Sequence, residues 1–221
     1  LFGPKEEFTT DGSANYMWMQ TFWYHLSDTG TAGIVMANGA MTSNTKGEKN
    51  VRQHMVDNGM IDGIVRMPDK LFLTTGIPAC IFLLSKNRDG NDGMHRERKN
   101  EILFIDASKM GTMASRKLRV FSDEDVKKIS DTYHAWRNVS TDAEHVEVYE
   151  DIAGYCKSAS LEEVQKQDYK LTPGIYVGVE AAEEDSEPFE EKMERLKATL
   201  LEQFEKGEEL KDQILANFDR I

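Results

Sequence analysis

Residues 30–86 read GTAGIVMANGAMTSNTKGEKNVRQHMVDNGMIDGIVRMPDKLFLTTGIPACIFLLSK, and the order of elements in this stretch decides the fold. The apolar run at 32–38 predicts a strand, entered through the turn residues Asp28, Thr29 and Gly30. A helix is predicted over 47–58, where Val51, Met55 and Val56 form an apolar stripe and Gly59 supplies the stop. Residues 60–67 predict a second strand ended by Pro68, and 79–85 a third, entered through Pro78. Apolar runs without polar alternation suit strands buried on both faces, as in an α/β sheet covered by helices. The loop between the last two strands, 68–78, is longer than a hairpin needs, and long ordered loops at sheet ends tend to carry function.

Outward from this block, residues 14–26 predict a helix with Ser13 as N-cap. Its Tyr16, Met17, Met19, Gln20, Phe22, Trp23 and Leu26 recur at helical spacing and read as a heavily buried face. Residues 101–106 (EILFID) predict a fourth strand, and Ser122 with Asp125 caps a helix running to about Trp136. Tyr133, His134 and Trp136 are expected to pack that helix down. Two basic stretches, His95, Arg96, Arg98 and Lys99 in the 88–100 connection and MASRKLR at 113–119, either meet phosphates or form solvated loops. Residues 138–180 read as an irregular connector with short helices.

The 221 residues carry a net charge of −12. The acidity is concentrated at the end: residues 180–221 hold fourteen acidic and six basic side chains, net −8, leaving −4 for the rest. The acidic balance therefore does not exclude a nucleic-acid partner for the first 179 residues. In 181–221 the residues Phe189, Met193, Leu196, Leu200, Phe204, Leu210, Ile214 and Phe218 mark one narrow stripe among Glu and Lys, with Gly207 as a bend point. That is a long amphipathic helix made to dock on a partner.

No apolar stretch reaches membrane-spanning length, and no signal peptide opens the chain. Cys80 falls in a buried strand and Cys156 in a loop-like region; both are expected to be reduced, cytosolic thiols. Nucleophilic triads, metal-ligand spacings, a P-loop and a strand followed by G-x-G-x-x-G do not occur at recognisable spacing, and the glycines of DTGTAG at 28–33 precede their strand and read as a plain turn. The chain opens on Leu1 and supplies few strands, so it is expected to be the C-terminal piece of a longer protein.

The run from 14 to 86, with LFIDASKMGTM at 103–113, SDEDVKKISDTYHAWR at 122–137, YCKSASL at 155–161 and DYKLTPGIYVG at 168–178, closely resembles the modification subunit of type I restriction–modification systems. That family consists of adenine-specific DNA methyltransferases. The resemblance implies an α/β fold: the distal half of a Rossmann-like sheet using S-adenosylmethionine, with a reversed β-hairpin, followed by a C-terminal helical region. It assigns 1–137 to the catalytic domain, 138–180 to the connector and 181–221 to subunit assembly.

The family's glycine-rich cofactor loop and its Asn-Pro-Pro-Phe motif do not occur in this sequence. The fragment alone is therefore expected to be inactive and not to bind S-adenosylmethionine, and no catalytic residue is assigned to it. By position, the resemblance makes Phe72 the candidate to stack on an extruded adenine, with core packing as the alternative. Thr74 and Thr75 are further pocket candidates, as is Asn38 at the C-terminal end of its strand. The implied partners are DNA, a specificity subunit held by Met193, Leu196, Leu200, Phe204, Ile214 and Phe218, and a restriction subunit in the larger cytoplasmic complex. The competing reading is a non-catalytic helical adaptor whose sheet is only scaffold.

Overall fold

The computed structural model describes residues 2–3, 14–45, 47–138, 148–179 and 189–218. The chain separates into two compact units, Leu1–Glu180 and Ala181–Ile221. The first is built from helix α1 (Asn15–His25), strand β1 (Thr31–Ala37), helix α2 (Glu48–Asp57), and strands β2 (Ile61–Arg66), β3 (Ala79–Ser85) and β4 (Glu101–Asp106). A two-stranded hairpin of β5 (Thr112–Met113) and β6 (Arg119–Val120) follows, then helix α3 (Asp123–Arg137), strand β7 (Cys156–Ser160) and helix α4 (Leu161–Lys166).

The five long strands form one mixed sheet in the order β1-β3-β2-β4-β7. β3 is antiparallel to both β1 and β2, which therefore run parallel to each other. β4 is parallel to β2, with Arg66 opposite Asp106. The carboxyl ends of β1, β2 and β4 thus share one edge of the sheet, and their amino ends share the other.

Strands β2 and β4 are buried on both faces, with Ile61, Ile64 and Val65 in β2 and the unbroken run Ile102, Leu103, Phe104 and Ile105 in β4. On one face Ile64, Phe82 and Phe104 pack with Tyr16, Met19, Val51 and Met55 of α1 and α2. Phe104 also stacks on Tyr176 at 4.0 Å between ring centroids. On the other face Val65, Leu103 and Ile105 pack with Trp136 of α3 and with Tyr155.

β1 departs from the two-sided expectation. It buries Ile34 and Met36 but leaves Val35 59% exposed, because it lies at the sheet edge with a helix layer on one side only. α1 departs in the same way. Tyr16, Met19 and Gln20 are buried, but Trp18, Phe22 and Tyr24 are exposed, so the helix buries one narrow face. Ala14 holds its N-cap position without a side-chain bond, and Ser13 lies outside the described residues.

α2 ends as its sequence demands. Gly59 takes φ +59°, its N–H donates to Val56 O, and the Met60 N–H donates to Met55 O, which closes a Schellman motif. A side chain at Gly59 would also press on Lys99 O at 3.2 Å. α3 starts with a reciprocal capping box: the Asp125 N–H donates to Ser122 Oγ and the Ser122 N–H donates to Asp125 Oδ2. Trp136 anchors the helix, while His134 points to solvent.

The stretch expected as an irregular connector is more regular than its sequence suggested. Cys156–Ser160 pairs antiparallel with β4 as a fifth sheet strand, and Ser160 and Glu163 cap α4 reciprocally. Cys156 is therefore a buried strand residue, not a loop thiol. The composition CKSAS gave no apolar run to mark a strand; its pairing with the buried β4 supplies the stability.

The second unit holds one continuous helix, α5 (Phe189–Phe218), which passes through Gly207 without a break. Met193, Leu196, Leu200, Phe204, Leu210, Ile214 and Phe218 are each about half exposed or more. Residues 181–188 and 219–221 lie outside the described residues. Among the described residues no helix is long and apolar enough to cross a membrane.

Candidate nucleic-acid interface

In open α/β sheets, ligands bind beyond the carboxyl ends of the parallel strands. That edge here gathers Asn38, the 68–78 loop and the β5–β6 hairpin. Asn38 follows the last residue of β1 and opens a 3₁₀ turn, Asn38–Met41. Its N–H donates to Pro78 O at 3.2 Å, which ties the end of β1 to the end of the loop. Its side-chain Oδ1 is buried with no hydrogen-bond partner. An acceptor left so is costly unless a donor arrives.

The 68–78 loop is shaped from within. Lys70 sits at φ +61°, a left-handed conformation that a residue with a side chain adopts at a cost. Phe72 pairs with Thr75 through an isolated bridge, and Thr75 Oγ1 accepts from the Ile77 N–H at 3.2 Å. These bonds turn side chains outward: Phe72 is 44% exposed, and Leu73 82%. Thr74 is exposed as well. Phe72 is therefore not a core residue.

The hairpin is pinned against this loop by Arg119. Its N–H donates to Lys70 O at 2.8 Å, and its guanidinium donates to Met110 O and Gly111 O. Arg119 Nε also lies 3.7 Å from Asp69 Oδ1. Gly111, at φ +76°, allows the hairpin to close, since a Cβ there would stand 2.8 Å from Val120 O. The result is a surface depression of about 270 Å³ lined by Lys70, Phe72, Leu73, Thr74, Arg116 and Lys117, among others.

The opposite edge, at the amino ends of β2 and β4, tells a different story. Asp62 is fully buried between two arginines: Arg98 Nε donates to its Oδ1 at 2.9 Å, and Arg88 Nε lies 3.1 Å from the same oxygen. Tyr133 donates its hydroxyl to Oδ2 at 2.7 Å. Burial pulls the Arg88 guanidinium down to about 10, and burial with the Asp62 charge pushes the Tyr133 phenol up. Arg96 donates to Glu101 at 2.7 Å and stacks over Trp136, His95 Nδ1 meets Asp92 at 2.6 Å, and Lys99 meets Asp89 at 2.8 Å. In the first basic stretch Arg98 is buried, and His95, Arg96 and Lys99 each meet an acidic partner nearer the surface.

Sequence reasoning placed Asn38, Phe72, Thr74 and Thr75, and the structure brings all four to one edge. It missed Lys70, and it did not connect the 113–119 stretch to the Phe72 loop. Asp62 was a readable clue to the opposite edge, since a carboxylate within a doubly buried strand requires cationic partners.

The described residues do not fit an adenosyl cofactor cradle. β1 leads into a 3₁₀ turn and a polar loop before α2, β2 leads into the 68–78 loop, and no strand runs through a glycine-rich turn into a helix. Among the described residues, no group of side chains is arranged to hold a metal ion.

The chain is thus a mixed α/β sheet whose carboxyl edge carries an exposed aromatic, Phe72, beside Lys70, Arg116 and Lys117. The family model for N-6 DNA methylases matches residues 3–185, and the chain belongs to that family. Within it, the chain is similar to the HindI methylase subunit of a type I restriction enzyme from Haemophilus influenzae, 44% identical over 206 residues. That match covers 93% of this chain and 43% of the relative. The MjaIX methylase subunit of Methanocaldococcus jannaschii is 34% identical over 212 residues, covering 96% of this chain and 36% of the relative. Among solved structures, the type I methyltransferase subunit from Streptococcus thermophilus superposes with a TM-score of 0.63 at 26% identity, over 77% of this chain and 32% of that one. The chain spans less than half the length of the relatives it matches.

Proposed function

We propose that the whole protein transfers a methyl group from S-adenosylmethionine to the exocyclic amine of adenine in DNA, as the modification subunit of a type I restriction–modification complex in the cytoplasm. This chain supplies the distal half of a Rossmann-like sheet, with β3 as the reversed strand, and one wall of the base pocket. The observation that carries the reading is Phe72: a large aromatic, 44% exposed, presented by an internally bonded loop at the ligand-binding edge of the sheet. An adenine buried in a duplex must be extruded before its amine is reachable, and an aromatic face holds it by stacking. The unpartnered Asn38 Oδ1, at the end of β1 on the same edge of the sheet, is our candidate to accept a hydrogen bond from the substrate. Thr74 lines the depression beside Phe72, and Thr75 holds the loop in shape.

The sulfonium and the groups that polarise the amine belong to parts of the protein outside this chain, so no chemical step is assigned to its residues. Isothermal titration of the isolated chain with S-adenosylmethionine is expected to show no binding; micromolar binding would overturn that division. The reading as a whole is tested by incubating the full-length protein, assembled with its specificity subunit, with DNA and labelled S-adenosylmethionine. The expected product is N6-methyladenine; label on cytosine, or none, would refute it.

The adaptor reading survives for one part of the chain. The exposed stripe of α5 is too apolar to remain in water, and the net −8 of 180–221 repels phosphates. A protein surface is its partner, and we assign it to the specificity subunit, with Met193, Leu196, Leu200, Phe204, Ile214 and Phe218 as contacts; the restriction subunit joins the larger complex. Replacing Leu196, Leu200 and Phe204 together by Asp in the full-length protein is expected to abolish co-purification of the specificity subunit while S-adenosylmethionine binding persists. Wild-type co-purification would exclude this interface.

A further inference from the structure

We propose that Lys70, Arg116 and Lys117 form a phosphate clamp that grips the DNA strand beside the extruded base. The inference rests on the reading of Phe72 as the base-stacking residue and adds the groups that hold the backbone on either side of it.

Three independent features single out this cluster. The first is charge. On the opposite edge His95, Arg96, Arg98 and Lys99 each have an acidic partner. Arg116 and Lys117 are exposed at the tip of the β5–β6 hairpin, and neither side chain meets an acid within ion-pairing distance among the described residues. Lys70 has only Asp69, at 3.9 Å, and Asp69 is shared with Arg119.

The second feature is preorganisation. The hairpin tip is braced by the Ala114 N–H donating to Leu118 O at 2.9 Å and the Leu118 N–H donating to Ser115 Oγ at 3.1 Å. Its base is locked to the 68–78 loop through Arg119 and the Lys70 carbonyl. The same peptide segment that carries Lys70 thus fixes where Arg116 and Lys117 stand. The left-handed backbone at Lys70 is a cost kept where the local geometry has a use.

The third feature is composition. One depression of about 270 Å³ places the three cations around Phe72 and the Thr74 hydroxyl. An aromatic platform ringed by cations and a hydroxyl is the chemistry that binds a single-stranded stretch: the ring takes a base face and the cations follow the backbone. Extrusion turns the target nucleotide into such a stretch, with its own phosphates on either side.

Phosphate contacts release counterions, so the clamp has a signature that stacking lacks. The test uses the full-length protein assembled with its specificity subunit and a duplex carrying one target site. Binding is measured by fluorescence anisotropy across a salt series for wild type, for the combined Lys70→Asn, Arg116→Gln and Lys117→Gln variant, and for Phe72→Ala. Asn is chosen at position 70 because it tolerates the left-handed backbone. The clamp predicts that the triple variant lowers the slope of log K against log salt by about 2 to 3, at specific and nonspecific sites alike. Phe72→Ala is expected to leave that slope unchanged while weakening only the site whose base is extruded. An Arg116→Lys single variant, which keeps the charge, should retain the wild-type slope. An unchanged slope in the triple variant, with Phe72→Ala still impaired, would overturn the clamp and leave the stacking reading standing. Wild-type behaviour of both variants would overturn both.

Discussion

HRERK at 95–99 and SRKLR at 115–119 are alike in composition, yet they end at opposite edges of one sheet with opposite fates. The first is consumed by the fold: Arg98 is 1% exposed against Asp62, Arg96 lies on Trp136, and Lys99 and His95 have acidic partners. The second spends only Arg119 on the fold and presents Arg116 and Lys117 to solvent beside an exposed Phe72. What separates them is the presence of a buried carboxylate. Asp62 sits where two guanidinium groups can neutralise it, whereas at the carboxyl edge Asp106 is taken by Arg66 and Asp69 is shared between Lys70 and Arg119. A cation run acquires a structural or a binding role from the acids that the fold brings to it.

The largest expected effect lies at the buried edge. Asp62→Ala strands two buried guanidinium groups and is expected to destabilise the unit by about 3–5 kcal/mol, read by urea denaturation. A loss below about 1 kcal/mol would mean that water reaches Arg88 and Arg98, and the contrast between the edges would collapse. A smaller loss, about 1 kcal/mol, is expected for Ser122→Ala, which removes the cap of the helix whose Tyr133 and Trp136 close over that edge. At the opposite edge, Arg116→Gln with Lys117→Gln is expected to change stability by less than about 0.5 kcal/mol. A large loss there would show that these charges also serve the fold.

The apolar runs revealed β1 to β4 to within a residue or two, although β1 proved to be buried on one face only and β2 to carry the buried Asp62. Gly59 and the Ser122–Asp125 box were legible for a local reason: helix ends need specific groups at specific spacings. β7 was not legible, since CKSAS has no apolar pattern and is a strand only because β4 offers it an edge. The exposure of Trp18, Phe22 and Tyr24 was hidden for a similar reason, as an aromatic helix looks buried until its neighbours are known. At the site, Asn38, Phe72, Thr74 and Thr75 were named from position and resemblance. The contribution of the hairpin depends on Arg119 reaching Lys70, a tertiary contact across nearly fifty residues that no local pattern announces.

The central claim is that the carboxyl edge works on DNA while the amino edge holds the fold, and Phe72→Ala in the full-length, assembled protein tests it most directly. Methylation rate at subsaturating DNA and melting temperature are measured on the same preparation. Loss of base stacking worth about 1–3 kcal/mol predicts a 5- to 160-fold fall in kcat/KM, with the melting temperature unchanged. A fall in melting temperature that tracks the fall in activity, or full activity without the ring, would contradict the account.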